Sequence, residues 1–204
     1  MPGRDIANGF SHAPRNRRVN FFWRSAPALL PSTRMERFAF WLEPAAEEKR
    51  FFASLIRDLA QRFDAPIFEP HLTLCGALSD HDHVLQLLRN VAARPRYELE
   101  IDSAQASEQF TKTLFVRLRS SMELHELRRA INRADGEFDP HLSLLYKEMP
   151  MVEKNALAKS IAIPFQRVTF TELSVIAHPE KISTREDVES WRVLARRSLC
   201  KSSR

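Results

Sequence analysis

Glycine is scarce in this sequence. Four glycines in 204 residues leave no Gly-x-x-x-x-Gly-Lys loop to cradle phosphates, no Gly-x-Gly-x-x-Gly dinucleotide fingerprint and no Gly-x-Ser-x-Gly nucleophile elbow. Cysteine is scarcer still. Cys75 and Cys200 stand without a Cys-x-x-Cys spacing, which excludes a disulfide framework and a cysteine-built zinc site. Two unpaired thiols suit a reducing compartment such as the cytoplasm. No apolar run approaches the roughly 20 residues that a membrane-spanning helix needs. Disorder is excluded for most of the chain, because 44% hydrophobic and 28% charged residues are ordinary for a globular domain.

An excess of positive charge is also missing once it is located. The net charge is +5, and residues 1–34 hold Arg4, Arg15, Arg17, Arg18, Arg24 and Arg34 against Asp5 alone. The remainder carries 25 basic and 25 acidic residues out of totals of 31 and 26, so it has no general polyanion-binding character. That favours small substrates over long RNA. The basic leader is broken by Pro2, Pro14, Pro27 and Pro31 and has three readings: a disordered tail, an Arg-rich transit peptide, or sequence upstream of a natural start at Met35, where "MERFAFWLEP" begins. The last is preferred. Residues 35–204 are then expected to form one domain.

Within that domain, "RFAFWLEP" from Arg37 predicts a strand ended by Pro44. Phe51, Phe52, Leu55, Ile56, Leu59 and Phe63 follow at helical spacing, with Glu47 and Glu48 in the first turn. "HLTLCGAL" predicts a strand, and Ser79 or Asp80 can cap a helix carrying Val84, Leu87, Leu88 and Val91. "RYELEIDSAQ" and "KTLFVRLRS" alternate as strands. Ser120 and Glu123 have capping-box spacing for a third helix, bearing Leu124, Leu127 and Ile131, with Gly136 beyond its end. "HLSLLY" is again a strand, and a short helix from about Met151 to Ile161 follows. "FQRVTFTELSVIAH" and "SWRVLARRSLC" close the chain as strands. Strand–helix–strand thus occurs twice, which points to an α+β fold with two similar lobes rather than a parallel doubly wound sheet.

Each of these units ends in the same pattern. "EPHLTLCG" begins at Glu69 and "DPHLSLLY" at Asp139, so acid-Pro-His-Leu-hydroxyl-Leu recurs with His71 and His141 separated by 70 positions. Side chains alternate along a strand, so His71 shares a face with Thr73, and His141 with Ser143. The intervening leucines anchor each strand to a core. The same alternation places Cys75 on the face of His71 and Thr73, most simply as a small buried residue.

Two imidazoles facing one cleft suit phosphodiester hydrolysis. Histidine is the residue whose ordinary pKa permits both proton abstraction from water and proton donation to a leaving alkoxide near neutral pH. One ring must enter neutral and the other charged. Hydroxyls beside them donate to the phosphoryl oxygens as charge builds there. Spacing alone does not say which histidine is base and which acid.

The doubled motif, after an opening "FAFWLEP", resembles the two-histidine (2H) phosphoesterase superfamily, marked by a pair of His-x-Thr/Ser motifs. Within it the chain is most similar to the cyclic phosphodiesterase branch, over about Arg37 to Cys200. The resemblance implies a bilobal α+β fold of two antiparallel-sheet lobes with helices outside and a central cleft. It implies metal-independent hydrolysis, without a cofactor, of 2′,3′-cyclic nucleotides or ADP-ribose 1″,2″-cyclic phosphate to 2′-phosphates. By matching positions, His71 and His141 would be catalytic, and Thr73 and Ser143 would bind phosphate. Tyr146 would touch substrate, and Trp41 would offer a stacking surface for a base. "EQFTKTLFVRL" matches the family only loosely, so Phe110, Thr111 and Lys112 carry no assigned role.

Other candidates read as structural. His81, Asp82 and His83 do not converge on a helix, where i and i+2 diverge, so no metal site is expected. His125 sits in a charged helix. His178 ends a strand and approaches the cleft only if that strand borders it. Arg117 and Arg119 share a strand face that is solvated by default. The expected partner is a small cyclic phosphate met by a monomer, with no membrane role. The rival readings are an RNA-end enzyme working on 2′,3′-cyclic or 2′,5′-linked termini, and a non-catalytic nucleotide-binding module.

Overall fold

The structure is a computed structural model that describes residues 36–132 and 137–199. The leader, Gly136 and Cys200 lie outside the described residues. Among the described residues, seven strands and five helices follow one another as β1 (Glu36–Pro44), α1 (Ala46–Phe63), β2 (Leu72–Leu78), α2 (His81–Asn90), β3 (Tyr97–Ala106), a 3₁₀ turn at Phe110–Lys112, β4 (Leu114–Leu118), α3 (Met122–Ile131), β5 (His141–Leu145), α4 (Met151–Ser160), β6 (Arg167–Pro179), α5 (Arg185–Glu189) and β7 (Arg192–Ser198). No helix among the described residues is long and apolar enough to cross a membrane.

Local chemistry explains the helix ends. Ala45 precedes α1 and donates its backbone N–H to the Thr169 carbonyl at 2.7 Å, while Asp64 ends the helix in the left-handed region at φ 48. Asp80 caps α2 by accepting from the His83 N–H at 2.9 Å. The cap of α3 falls one residue later than its spacing suggests. Ser121, not Ser120, accepts from the Leu124 N–H at 3.3 Å, and the Ser120 hydroxyl turns instead to His125 Nε2 at 2.8 Å. A capping box between Thr184 and Asp187 starts the five-residue α5, a helix too short to show a periodic pattern.

All strand pairs are antiparallel, in the order β1-β2-β5-β4-β3-β6-β7, and β6 also pairs with β1. The expected lobes are β2-β1-β6-β7 on one side and β5-β4-β3 on the other. Two joints merge them into one sheet. The 13-residue β6 pairs with β3 through Arg167–Phe170 and with β1 from Phe170 to Pro179. Opposite that joint, β2 and β5 meet at the single pair Leu72–Leu142, next to both histidines.

One face of this sheet carries the helices. Phe52, Ile56 and Leu59 of α1, Val84 and Leu88 of α2, and Leu124, Leu127 and Ile131 of α3 join Leu42, Leu72, Leu74, Leu142, Leu144 and Phe170 in one continuous core. Burying a Leu or Phe side chain contributes roughly 1.5–3 kcal/mol, so the leucines of the two His motifs are the anchors of their strands. The other face holds a small apolar group, Ala39, Trp41 and Ile176 with Trp191 against it, and Phe115 beside His141. That face is the cleft.

Candidate active site

The two acid-Pro-His segments build the same local device. A proline has no N–H and holds the residue before it in an extended conformation. The carbonyl of that acidic residue is thereby turned to the histidine two positions on. His71 Nδ1 lies 2.7 Å from the Glu69 carbonyl, and His141 Nδ1 lies 2.7 Å from the Asp139 carbonyl. A carbonyl can only accept, so each Nδ1 carries the proton and donates it. Each Nε2 is left as the working nitrogen of its ring.

Both rings line one cavity of about 270 Å³, together with Trp41, Thr73, Ser143 and Tyr146. The Thr73 hydroxyl has no hydrogen-bond partner among the described residues. Ser143 is committed: its Oγ donates to the Thr111 carbonyl at 3.1 Å and is met by the Tyr146 hydroxyl. Thr111, given no role from its sequence, thus holds one of the two motif hydroxyls.

The two aromatic residues sit differently from their sequence-based expectation. Trp41 stacks on His71 at a centroid distance of 3.5 Å and an interplanar angle of 9°. Only 5% of Trp41 is exposed, so the indole fixes the imidazole and has little surface left for a base. Tyr146 is 3% exposed and stacks on Phe68 at 4.1 Å. It acts on the site through the Ser143 oxygen, and burial raises its pKa well above the ordinary phenol range.

Strict alternation also fails for Cys75. Phe40 pairs with Cys75 while Trp41 pairs with Thr73, so β2 carries an extra residue there. A second irregularity follows at Ala77, whose φ is 61. These bulges turn Cys75 into the core and bring Gly76 onto the cleft face in its place. Burial raises the Cys75 thiol to about 11, so it is inert.

The electrostatic surroundings of the two rings differ. His71 is 5% exposed, and burial lowers its pKa to about 4 against the opposing effects of the Glu69 carbonyl and the Glu43 carboxylate. Glu43 is buried and accepts from Lys49 at 2.6 Å, Ser174 at 2.7 Å and Arg196 at 2.9 Å, which keeps it ionised. Across the pseudo-equivalent position, Arg117 pairs with His141 in the β4–β5 ladder. The half-buried His141 is also held below its ordinary pKa, first by burial and then by Lys112 and Arg117, against Asp139. Lys112 and Arg117 both bind the Asp139 carboxylate, so Arg117 is ion-paired rather than a solvated strand-face residue. Without ligand, both rings are neutral at pH 7.

Three further residues line the cavity from the segment that runs out of β6 into β7: His178, Ile182 and Trp191. Trp191 meets Trp41, His71 and Tyr146 edge to face, at 5.3, 5.9 and 5.9 Å. Nothing local to its sequence marks it, since its place depends on β7 pairing with β6. Outside the cavity, His81 and His125 contact Phe38 and Phe138. No group of three His, Cys, Asp or Glu among the described residues could hold a metal ion.

Comparison with known proteins bears on the family and the fold. The family model described as the 2′-5′ RNA ligase superfamily matches residues 44–181. Among solved structures, E. coli LigT complexed with 3′-AMP is 19% identical with a TM-score of 0.52, over 82% of this chain and 99% of LigT. The TT0787 protein of Thermus thermophilus is 14% identical with a TM-score of 0.53, over 80% of this chain and 97% of its own. A structure described as a phosphoesterase is 17% identical with a TM-score of 0.51, over 81% and 99% of the respective chains. At these identities the likeness is one of fold. No curated protein matches the chain. With the family model spanning most of the domain and the doubled histidine motif meeting in one cleft, the chain belongs to the 2′-5′ RNA ligase superfamily, the two-histidine phosphoesterases.

Proposed function

We propose that this protein hydrolyses small 2′,3′-cyclic phosphodiesters to 2′-phosphates. One observation carries the reading: both imidazoles are pinned through Nδ1 by the carbonyl two residues before, which leaves two Nε2 atoms free in one cavity beside Thr73 and Ser143. One neutral Nε2 takes a proton from water as the water oxygen bonds to phosphorus. The bond from phosphorus to the 3′ oxygen breaks, and the other ring, protonated, gives its proton to that oxygen. Water is consumed, and the rings exchange protonation states and reset through solvent. Thr73 donates to a phosphoryl oxygen, and Ser143 does so by turning its hydrogen away from Thr111.

The ligand supplies a missing element. Neither ring holds a proton readily in the empty site, and an anionic phosphodiester raises both pKa values by its charge. Proton uptake therefore accompanies substrate binding and creates the acid.

The neutral charge balance beyond residue 34 supports a small substrate over an RNA chain, as does LigT, which is complexed with 3′-AMP. The reading takes the protein as a cytoplasmic monomer that needs no cofactor. The test is turnover of 2′,3′-cyclic nucleotides with chelator present, by wild type, His71→Ala and His141→Ala. Each variant is expected to lose roughly 100- to 10,000-fold in kcat, with phosphorus NMR showing a 2′-phosphate product. Wild-type turnover by His141→Ala would remove the reading. An oligonucleotide competing far better than a mononucleotide, with steep salt dependence, would move it to RNA ends.

A further inference from the structure

The cavity is longer than a phosphate needs. In the β1–β6 ladder Trp41 pairs with Ser174, Ala39 with Ile176 and Arg37 with His178, without a register shift between them. Alternate residues share a face, so Trp41, Ala39 and Ile176 on the cleft side bring Arg37 and His178 to the same side. Trp41 and Arg37 are four positions apart, which at strand rise is about 13 Å. Trp41 marks the phosphate end, because it lies on His71 and pairs with Thr73. His178 marks the other end, and Gly76 lines the cavity with them. A ribose and a base, beyond the phosphate, are what such a span accommodates.

The chemistry of the far end is defined. His178 Nδ1 lies 2.7 Å from the Pro179 carbonyl, so Nδ1 carries the proton and donates it. Burial and the nearby Arg37 guanidinium keep the ring below its ordinary pKa, hence neutral at pH 7. In that tautomer Nε2 presents only a lone pair. Arg37 itself is ion-paired with Glu180. Trp191 precedes Arg192, the ladder partner of Ala177, so its backbone lies beside His178 while its indole leans back toward Trp41 and His71, between the two ends; its Nε1 is buried with no hydrogen-bond partner among the described residues.

From this arrangement we infer that His178 and Trp191 form a base subsite, in which His178 Nε2 accepts a hydrogen bond from an exocyclic amino group while the indole of Trp191 supports the ring. The inference rests on the phosphodiesterase reading and narrows its substrate class to single nucleoside cyclic phosphates with an amino-bearing base. Cytidine and uridine make the sharpest comparison, since they share a shape and differ in an amino donor against a carbonyl acceptor.

The test measures kcat/KM of wild type and His178→Ala on cytidine 2′,3′-cyclic phosphate, its uridine counterpart and the 2,3-cyclic phosphate of methyl riboside, which lacks a base. Wild type is expected to favour cytidine by about tenfold, the worth of one hydrogen bond and an avoided acceptor–acceptor clash. His178→Ala is expected to erase that preference through KM while the baseless substrate is unaffected. A second variant, Gly76→Leu, fills open space on the cleft face, where a Cβ meets nothing within 4 Å. It should weaken both nucleosides and spare the baseless substrate. Equal use of cytidine and uridine by wild type, or an equal loss on all three substrates in His178→Ala, overturns the subsite. Should wild type turn over none of them, the hydrolytic reading falls by itself. Tryptophan fluorescence titration with cytidine and uridine 2′-phosphates then still reads the subsite, and a tenfold preference for cytidine lost in His178→Ala upholds it.

Discussion

The burial of His71 makes a quantitative statement about acid stability. Its pKa stands at about 4 in the folded protein, against about 6.5 in an unfolded chain. The neutral ring contributes fully above pH 6.5, and stability is lost as pH falls from there through 4, because the unfolded chain binds the proton first. The difference between the two states corresponds to about 3 kcal/mol in total, of which about 2 kcal/mol is lost by pH 5. His71→Gln, neutral at every pH and of similar length, removes this titration. Urea denaturation of wild type and His71→Gln at pH 7.5, 6 and 5 isolates it, since the carboxylates common to both cancel in the difference. The wild type should lose about 2 kcal/mol more than the variant between pH 7.5 and 5. Parallel losses would refute the reasoning. They would mean that the indole of Trp41, 3.5 Å from the ring, attracts the imidazolium strongly enough to offset its desolvation, an attraction worth up to about 2 kcal/mol when shielded from water.

Three other outcomes follow from the site. Glu43→Ala should destabilise by about 3 kcal/mol, since it strips the shared partner from Lys49, Ser174 and Arg196; Lys49 and Arg196 are 28% and 39% exposed and can turn to water, which keeps the cost at the lower end, and a loss below about 1 kcal/mol in denaturant titration would contradict it. Sulfate, which does not titrate, should bind more tightly as pH falls from 8 to 5 and take up a proton in calorimetry, because both rings are neutral in the empty site; a pH-independent affinity would show that they are not. Tyr146→Phe keeps the stack on Phe68 but removes the hydroxyl at Ser143, so it should lower kcat with KM little changed and cost under about 1.5 kcal/mol in stability.

What could be read from the residues alone was the part governed by local rules. The paired His-x-hydroxyl strands, the apolar faces of α1, α2 and α3 and a cap for α2 at Ser79 or Asp80 all depend on residues within one or two turns of each other. Alternation failed at Cys75 because it assumes one residue of β2 for each of β1, and the bulges at Thr73–Cys75 and Ala77 break that count. Trp191 and His178 were not legible as site residues because their place is set by which strands pair with β6. Trp41 and Tyr146 lie where the motifs suggest, yet their partners, His71 and Ser143, turn them into supports for other side chains.

The strand order has a consequence for the ancestry and dissection of the chain. Each half-sequence, residues 36–106 and 114–179, runs strand, helix, strand, helix, strand, and each gives its final strand to the other: β3 lies against β4, and β6 against β1. Neither half is therefore a free-standing module. A single half-length polypeptide could rebuild the sheet only as two copies trading their last strands, and a chain cut between β3 and β4 would regain its sheet only when both pieces are refolded together.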